Sequence, residues 1–224
     1  MKKPKIFIAC DVTKIGQVKK IIKGSNTSQL VLGYKFGLQF LNSKNGRKFL
    51  KGLKNKITFG DYKLADIPNT CVSAIKAVKD LKLDYITIHI SSGLKAITAA
   101  KKVCGSTKLI GVTILTSLEN KSLKEIGFDK SVKKLVFHQA KLAAKAKLDA
   151  IVCSPQEIKI VKKVFKKEII TPGIRFHKDV KGDQRRVMTP KQAFDNGATA
   201  LVMGRSLIKG NIKKNIQKLI EELK

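Results

Sequence analysis

Short apolar runs rich in β-branched residues alternate along the chain with amphipathic stretches of helical period. The runs are nearly continuous, which is typical of parallel strands covered by helices on their outer face. The pattern predicts eight strands, at Lys5–Val12, Gln29–Lys35, Lys56–Lys63, Tyr85–Ile90, Lys108–Leu115, Ala150–Ser154, Glu168–Ile174 and Ala200–Gly204. It predicts eight helical segments, at Lys14–Lys23, Leu38–Lys51, Pro68–Leu81, Leu94–Val103, Ser131–Lys147, Gln156–Phe165, Pro190–Asn196 and Ile212–Leu223.

Eight alternating strand and helix pairs indicate an α/β protein. We expect a single (β/α)8 TIM barrel that occupies residues 1–224 as one domain, with an open doubly wound sheet as the alternative. No linker or low-complexity stretch divides the chain, and its longest candidate loop is Arg175–Met188.

The composition permits a sizeable core and gives no sign of a membrane span. Of the 224 residues, 43% are apolar, which excludes a disordered chain. No apolar stretch approaches the roughly 18 residues of a membrane helix, and the Ile6–Cys10 run is too short for a signal peptide. We therefore expect a cytoplasmic protein without membrane association. Its scattered cysteines predict buried free thiols.

The formal net charge of +31 comes almost entirely from lysine: 42 of the 47 basic residues are Lys and 5 are Arg. The lysines are spread over nearly every segment, and the chain has no Trp and few aromatic residues. Nucleic-acid binders usually concentrate charge on one face, often with Arg and stacking aromatics. The charge therefore favours solvated lysine faces over a nucleic-acid interface, although a basic nucleic-acid-binding protein on a barrel scaffold stays as an alternative.

Active sites of (β/α) barrels form at the C-terminal ends of the strands. At the end of the third predicted strand, Asp61 and Lys63 lie two positions apart and are expected to point into the barrel mouth. Neither charge belongs unpaired in an apolar core, so the pair predicts a structural ion pair or a reactive site. Lys35 on the neighbouring strand and Asp66 just beyond the turn favour the reactive site, because they complete an array of alternating charge.

The motif that follows carries a resemblance to a known family. The run DYKLADIPNT at residues 61–70 resembles the Asp-x-Lys-x-x-Asp-Ile-Pro-Asn-Thr signature of the orotidine 5'-phosphate decarboxylase family. The resemblance extends over the chain through ACDVT, YKFG, IHISSG, VTILTS, VCSPQE, TPGIR, GDQRRVMTP and VMGRSL. It implies a decarboxylase that converts orotidine 5'-monophosphate to uridine 5'-monophosphate and needs neither metal nor cofactor.

The resemblance also implies a role for each matching residue. Lys63 would donate a proton to C6 of the pyrimidine, Asp61 would lie against the departing carboxylate, and Lys35 would hold Asp61. Asp11 and Lys35 would bind the ribose, and Thr116 and Ser117 would contact the pyrimidine. In a homodimer with shared sites, the partner subunit would supply the residues matching Asp66, Ile67 and Thr70.

For the remaining matches, the resemblance implies a phosphate-binding role, and these residues are Arg175, Gln184, Gly204 and Arg205. Arginine suits this role because its planar fork binds two phosphate oxygens at once. In a chain that uses lysine almost everywhere, four of the five arginines lie at positions 175, 185, 186 and 205.

A Mg²⁺-dependent sugar-phosphate decarboxylase or aldolase of the same superfamily stays as the second alternative. Such relatives typically hold the metal with a Glu on the second strand. Here Lys35 takes that place, and a cation in place of a carboxylate argues against a metal site. The remaining residues offer no cluster of His, Asp and Glu for a metal, and we expect His89 to orient its neighbours or to pack at the mouth.

Overall fold

The computed structural model describes residues 3–177 and 187–224. Within these ranges, eight parallel strands pair in chain order and close into a barrel. The (β/α)8 prediction is therefore confirmed, and the open sheet is wrong. The strands are β1 (Lys5–Ala9), β2 (Val31–Gly37), β3 (Ile57–Leu64), β4 (Tyr85–His89), β5 (Lys108–Val112), β6 (Ala150–Val152), β7 (Glu168–Thr171) and β8 (Ala200–Met203).

Helices follow the strands on the outside of the barrel. Their bounds are α1 (Ile15–Gly24), α2 (Leu38–Leu41), α3 (Gly46–Gly52), α4 (Pro68–Ala77), α5 (Gly93–Val103), α6 (Asn120–Glu125), α7 (Val132–Lys145), α8 (Ile158–Val164), α9 (Pro190–Asp195), α10 (Arg205–Ile208) and α11 (Ile212–Glu222). Short 3₁₀ turns lie at Lys79–Leu81, Ile90–Ser92 and Pro155–Glu157.

Two helical regions differ from the prediction. The segment Leu38–Lys51 is two helices, because a tight turn separates α2 from α3. A Cβ atom at Gly46 would lie 2.0 Å from the Phe40 carbonyl oxygen, so only glycine fits this turn. The short helices α6 and α10 were not predicted, and each buries a single residue, Leu123 and Leu207.

The sheet separates two apolar layers. Outward-facing strand residues pack against the helices, and inward-facing ones fill the barrel. Inside, the rings of Phe59 and Tyr85 each lie 5.1 Å from the ring of Phe7 in edge-to-face contact. A Cβ atom at Gly33 would approach the Phe7 ring to 2.7 Å, so β2 has a glycine beside this cluster. The middle of the barrel is therefore a packed core.

Charged residues close the N-terminal end of the barrel. The first residues of four strands meet here: Lys5 of β1, Tyr85 of β4, Lys108 of β5 and Glu168 of β7. The Glu168 carboxylate accepts a hydrogen bond from Lys108 Nζ and lies 3.3 Å from Lys5 Nζ and 3.1 Å from the Tyr85 hydroxyl. This Glu168 cluster joins β1, β7 and the adjacent strands β4 and β5 across the barrel, and we call it the barrel floor.

Two smaller expectations concern the helices and the thiols. In the described part of the chain, no helix has both the length and the apolar character of a membrane span. The cysteines Cys10, Cys71, Cys104 and Cys153 are free and buried, as the sequence predicts. Burial raises the pKa of the Cys10 thiol to about 12, so this sulfur is an unreactive core residue.

Candidate active site

A cavity of about 590 Å³ opens at the C-terminal ends of the strands, at the end opposite the floor. Its lining combines apolar barrel residues with most of the polar residues that the sequence singles out. These are Asp11, Lys35, Asp61, Lys63, Thr116, Ser117, Arg175, Gly204 and Arg205. The fold therefore gathers residues from six different strands or strand ends around one volume.

An irregularity at the end of β3 places two of these residues. The register of β3 with β4 pairs Gly60 with Ile86 and then Leu64 with Ile88, so three residues of β3 oppose Thr87 alone. Lys63 takes up the excess length with a left-handed backbone, at φ 49°. Such bulges re-aim side chains and are frequent beside active sites. Asp61 and Lys63 both reach the cavity, as predicted, but through a bulge rather than a regular strand.

The charged side chains form a continuous chain of ion pairs. Lys35 Nζ lies 3.1 Å from Asp11 Oδ1 and 3.2 Å from Asp61 Oδ2. Lys63 Nζ lies 2.6 Å from the same Asp61 Oδ2. The order Asp11, Lys35, Asp61, Lys63 alternates in sign, and we call this set the charge array. Each charge therefore has a partner of opposite sign, and the central pair, Lys35 and Asp61, is largely removed from water, with side-chain exposures of 12% and 9%.

The array holds its central members in the charged form. Burial disfavours ionisation of Asp61, but the adjacent Lys35 and Lys63 outweigh burial and keep the pKa of Asp61 below its ordinary value. Burial likewise disfavours the Lys35 ammonium, and Asp61 and Asp11 outweigh it, so the pKa of Lys35 is raised. Near neutral pH the site therefore holds a carboxylate between two lysine side chains.

Asp66, Ile67 and Thr70 lie apart from this array within the chain. They belong to an exposed segment, residues 65–70, that leads into α4. Asp66 Oδ1 accepts a hydrogen bond from the Ile67 amide at 2.7 Å, and Ile67 is 65% exposed. In this chain the second carboxylate of the array is thus Asp11, whereas Asp66 lies exposed at the surface.

Two arginines line the cavity after strands that carry no member of the charge array. Arg205 begins α10 directly after β8, and Arg175 follows β7. The Arg175 guanidinium donates to the Ile174 carbonyl oxygen at 2.8 Å, and the Ile174 backbone bridges to Met188 across the loop ends. Gln184, Arg185 and Arg186 lie outside the described residues. Arg47, the remaining arginine, instead binds Asp80 and the Ala77 carbonyl oxygen on the outside of the barrel.

Two further residues of β4 border the array. Burial and the nearby Lys63 charge lower the pKa of His89, against the opposing effect of Asp61, so its imidazole is neutral at pH 7. Thr87, which the sequence reasoning missed, contacts the array directly, because its hydroxyl donates to Asp61 Oδ1 at 3.1 Å. The period-2 pattern could have identified it, since Thr87 precedes His89 by two positions and shares its face.

The described residues contain no group of three or more His, Cys, Asp or Glu side chains arranged to hold a metal ion. The polar groups of the cavity are instead ammonium, carboxylate, guanidinium and hydroxyl groups. This set can bind an anionic substrate and can stabilise charge that develops during a reaction. A closed parallel barrel with such an array at the strand C-termini defines a (β/α)8-barrel enzyme.

The chain belongs to the orotidine 5'-phosphate decarboxylase / HUMPS family, whose model matches residues 4–218. It is 40% identical over 219 residues to an orotidine 5'-phosphate decarboxylase of Prochlorococcus marinus, an alignment that covers 92% of this chain and 89% of that protein. It is 42% identical over 193 residues to an orotidine 5'-phosphate decarboxylase of Wolbachia sp. subsp. Brugia malayi, an alignment that covers 83% of this chain and 84% of that protein.

A solved structure agrees with these sequence matches. The crystal structure of orotidine 5'-phosphate decarboxylase from Lactobacillus acidophilus superimposes with a TM-score of 0.83 at 27% identity and covers 99% of both chains. The protein is therefore a carboxy-lyase with a decarboxylation role in pyrimidine biosynthesis.

Proposed function

We propose that the protein converts orotidine 5'-monophosphate to uridine 5'-monophosphate and carbon dioxide without metal or cofactor, with Lys63 as the proton donor. The observation that carries this proposal is the Lys63 ammonium, which lies in the cavity 2.6 Å from Asp61 and next to Lys35. The identity of the substrate is inferred from the family to which the chain belongs and from the names of its relatives.

The reaction demands a preorganised cation. Breaking the bond between C6 and the carboxylate leaves the electron pair on C6, with no adjacent carbonyl to delocalise it. An ammonium held in place stabilises this developing charge and then transfers a proton to C6, which forms the new C–H bond. Carbon dioxide leaves without a proton, and Lys63 regains its own from solvent.

The other members of the array have supporting roles in this proposal. Asp61, kept ionised by its two lysines, lies against the substrate carboxylate, and their repulsion is relieved as carbon dioxide departs. Lys35 holds Asp61 and, with Asp11, binds the ribose hydroxyls. Thr116 and Ser117, which line the cavity after β5, contact the pyrimidine.

We assign phosphate binding to Arg175, Arg205, Gly204 and Gln184. The first three line the cavity after β7 and β8, two strands that carry no member of the charge array. The assignment of Gln184 is based on the family resemblance alone. Phosphate bound there would supply binding energy remote from the reacting carbon, which helps lower the barrier at C6.

We propose a homodimer in which Asp66, Ile67 and Thr70 complete the partner's site. Support comes from their placement on one exposed segment and from the 65% exposure of Ile67, a large apolar side chain. We further propose that residues 1–224 form one catalytic domain and that the enzyme is cytoplasmic. The barrel, which spans Lys5 to Met203 in one closed sheet, supports the single domain.

The Mg²⁺-dependent sugar-phosphate enzymes remain the second candidate within the fold. Lys35, an ammonium on β2 that bonds to both Asp11 and Asp61, favours the metal-free reaction, because it occupies the carboxylates that a cation would need. Turnover that is insensitive to a chelator, measured by the loss of orotidine 5'-monophosphate absorbance, would separate the two.

The decisive variant is Lys63→Ala. We expect it to fold normally and to lose turnover of orotidine 5'-monophosphate by a factor of at least about 10³, since it removes both the proton donor and a charge. Lys163→Ala, an exposed lysine of α8, is the matched control and should turn over at the wild-type rate. Near-normal activity of Lys63→Ala would refute the assignment.

A further inference from the structure

The bulge at the end of β3 leaves the Lys63 amide without a regular strand partner, and the side chain of Thr87 provides one. Three residues, Asp61, Tyr62 and Lys63, oppose Thr87 alone, so a regular ladder is interrupted where Lys63 must be placed. The Lys63 amide donates to Thr87 Oγ1 at 2.8 Å instead of to a strand carbonyl. The left-handed backbone of Lys63 is thereby anchored to β4 through a side chain.

The same hydroxyl also fixes the orientation of the carboxylate. A hydroxyl carries one proton, and because Thr87 Oγ1 accepts from the Lys63 amide, that proton is available to Asp61. It points to Asp61 Oδ1 at 3.1 Å, which leaves Oδ2 for the Lys35 and Lys63 ammonium groups. Thr87 is fully buried, so water does not compete for these bonds.

We propose that Thr87 is a positioning residue that sets the geometry of Lys63 and Asp61 for proton transfer. Its hydroxyl binds the backbone of the proton donor and the side chain of the donor's carboxylate partner, so it fixes one relative to the other. The proposal rests on the proposed function of Lys63 and Asp61. Small displacements of such groups are costly, because a misplacement of about 1 Å can slow a reaction by about 10²-fold.

The chain provides a close control at the opposite end of the same strand pair. Thr58 on β3 is also buried, and its hydroxyl donates to Asp84 Oδ2 at 3.0 Å and accepts from the Asp84 amide at 3.2 Å. Thr58→Val thus removes the same pattern of hydrogen bonds to an aspartate and a backbone amide, away from the cavity. This control variant shows how much of a change in the rate constant arises from lost stability alone.

The test compares Thr87→Val, which removes the hydroxyl at nearly constant volume, with Thr87→Ser, which keeps it. We expect Thr87→Val to lower the single-turnover rate constant by about 10–100-fold with KM within about 3-fold, since the substrate-binding groups are intact. Thr87→Ser and Thr58→Val should stay within about 3-fold of wild type. Thr87→Ala, measured in the same way, replaces Thr87→Val if the latter does not fold.

A second readout does not depend on activity. In Thr87→Val, hydrogen exchange of the Lys63 amide should accelerate by at least about 10-fold, because its acceptor is gone. An unchanged rate constant in Thr87→Val, or an equal loss in Thr58→Val, would overturn the positioning role. Failure of the wild-type protein to decarboxylate, or full activity of Lys63→Ala, would instead overturn the proposed function, and the exchange data would still report on the bond.

Discussion

Lys63 combines a strained backbone with a charged side chain in the cavity. A left-handed φ of 49° costs an L-residue about 1 kcal/mol, and strain of this kind persists only where surrounding contacts maintain it. Here the contacts are the Thr87 hydroxyl on the backbone and Asp61 on the ammonium. The residue proposed to carry the chemistry is thus held by its neighbours at both its backbone and its side chain.

The charge of Lys63 should be visible at His89. Burial and then the charge of Lys63 lower the pKa of His89 below 6.5, against the opposing effect of Asp61, so Lys63→Ala should raise this pKa and Asp61→Asn should lower it further. Titration of the imidazole carbon signals by NMR measures both changes. Lys163→Ala should give the wild-type curve. A lower pKa of His89 in Lys63→Ala would contradict the placement of the ammonium beside it.

The proposed phosphate grip predicts a substrate-dependent loss. Arg205→Ala should reduce kcat/KM for orotidine 5'-monophosphate by about 10–100-fold more than for orotidine, which lacks the phosphate, because a charge-assisted hydrogen bond is lost only with the former. Arg47→Ala is the control, since its guanidinium binds Asp80 on the outside of the barrel. Equal losses with both substrates would argue against a phosphate contact at Arg205.

At the scale of elements, the sequence predicts the positions of the strands better than the details of their ends. Every predicted strand overlaps an observed one, because apolar runs buried on two faces leave a strong local signal. The bulge in β3 has no such signal, since it depends on how β3 and β4 pair. The split between α2 and α3 also lacks a local signal, because the apolar pattern continues through the turn. The turn is defined by the close approach of Gly46 to the Phe40 carbonyl oxygen.

The candidate site shows the same division. Motif and strand position predict which residues line the cavity, including Asp61, Lys63 and Arg205. They do not predict the pairing of Lys35 with Asp11, because Asp11 lies beyond β1 and its side chain direction is set by tertiary packing. Thr87 was missed because a threonine in a strand is ordinary until its two hydrogen bonds are known.

The barrel floor predicts a pH-dependent contribution to stability. Burial disfavours the charged Glu168, but Lys108 and Lys5 outweigh it and lower its pKa below 4.5. This carboxylate therefore stabilises the fold above pH 4.5, and the contribution is lost as the pH falls through its lower folded-state pKa. Glu168→Gln should reduce the free energy of unfolding by about 1–3 kcal/mol at pH 7.

Urea unfolding of both proteins from pH 7 to pH 3 measures this difference. It should shrink as the pH falls, while kcat at pH 7 stays near wild type because the floor lies at the end opposite the cavity. Glu125→Gln, an exposed residue of α6, is the control. A difference that grows towards acid pH would contradict the assignment of a lowered pKa to Glu168.

For the whole molecule, the formal charge of +31 divides into two populations. Many lysines lie on solvated helix faces, where they oppose association of like-charged copies and attract anions over long range. Lys35 and Lys63 belong to the second population, which is paired within the cavity. Composition reveals the first population, whereas the second is revealed by the position of the two lysines at the ends of β2 and β3.

The proposed shared sites predict activity from two inactive variants. In a mixed dimer of Lys63→Ala and Asp66→Asn, one site contains both substitutions and the other contains neither. Random mixing should therefore restore about a quarter of the wild-type activity, since about half the dimers are mixed and each has one intact site. The recovered activity is measured with the decarboxylation assay once the subunits have exchanged.

A mixture of Lys63→Ala with Lys35→Ala is the control. Both residues belong to the same chain's array, so every site in that mixture lacks one of them and activity should not return. An equal recovery in both mixtures, or none in either, would refute a site completed by the partner's Asp66.

The barrel floor and the aromatic rings above it leave the C-terminal mouth as the open end of the barrel. In the described part of the chain, Phe7, Phe59 and Tyr85 fill the barrel between the floor and the cavity. In the proposed reaction, the nucleotide and carbon dioxide therefore pass through the same opening, at the C-terminal ends of the strands. If Arg175 and Arg205 hold the phosphate at this opening, as proposed, carbon dioxide leaves past the bound nucleotide, and the groups that bind the substrate also determine the order in which the two products leave.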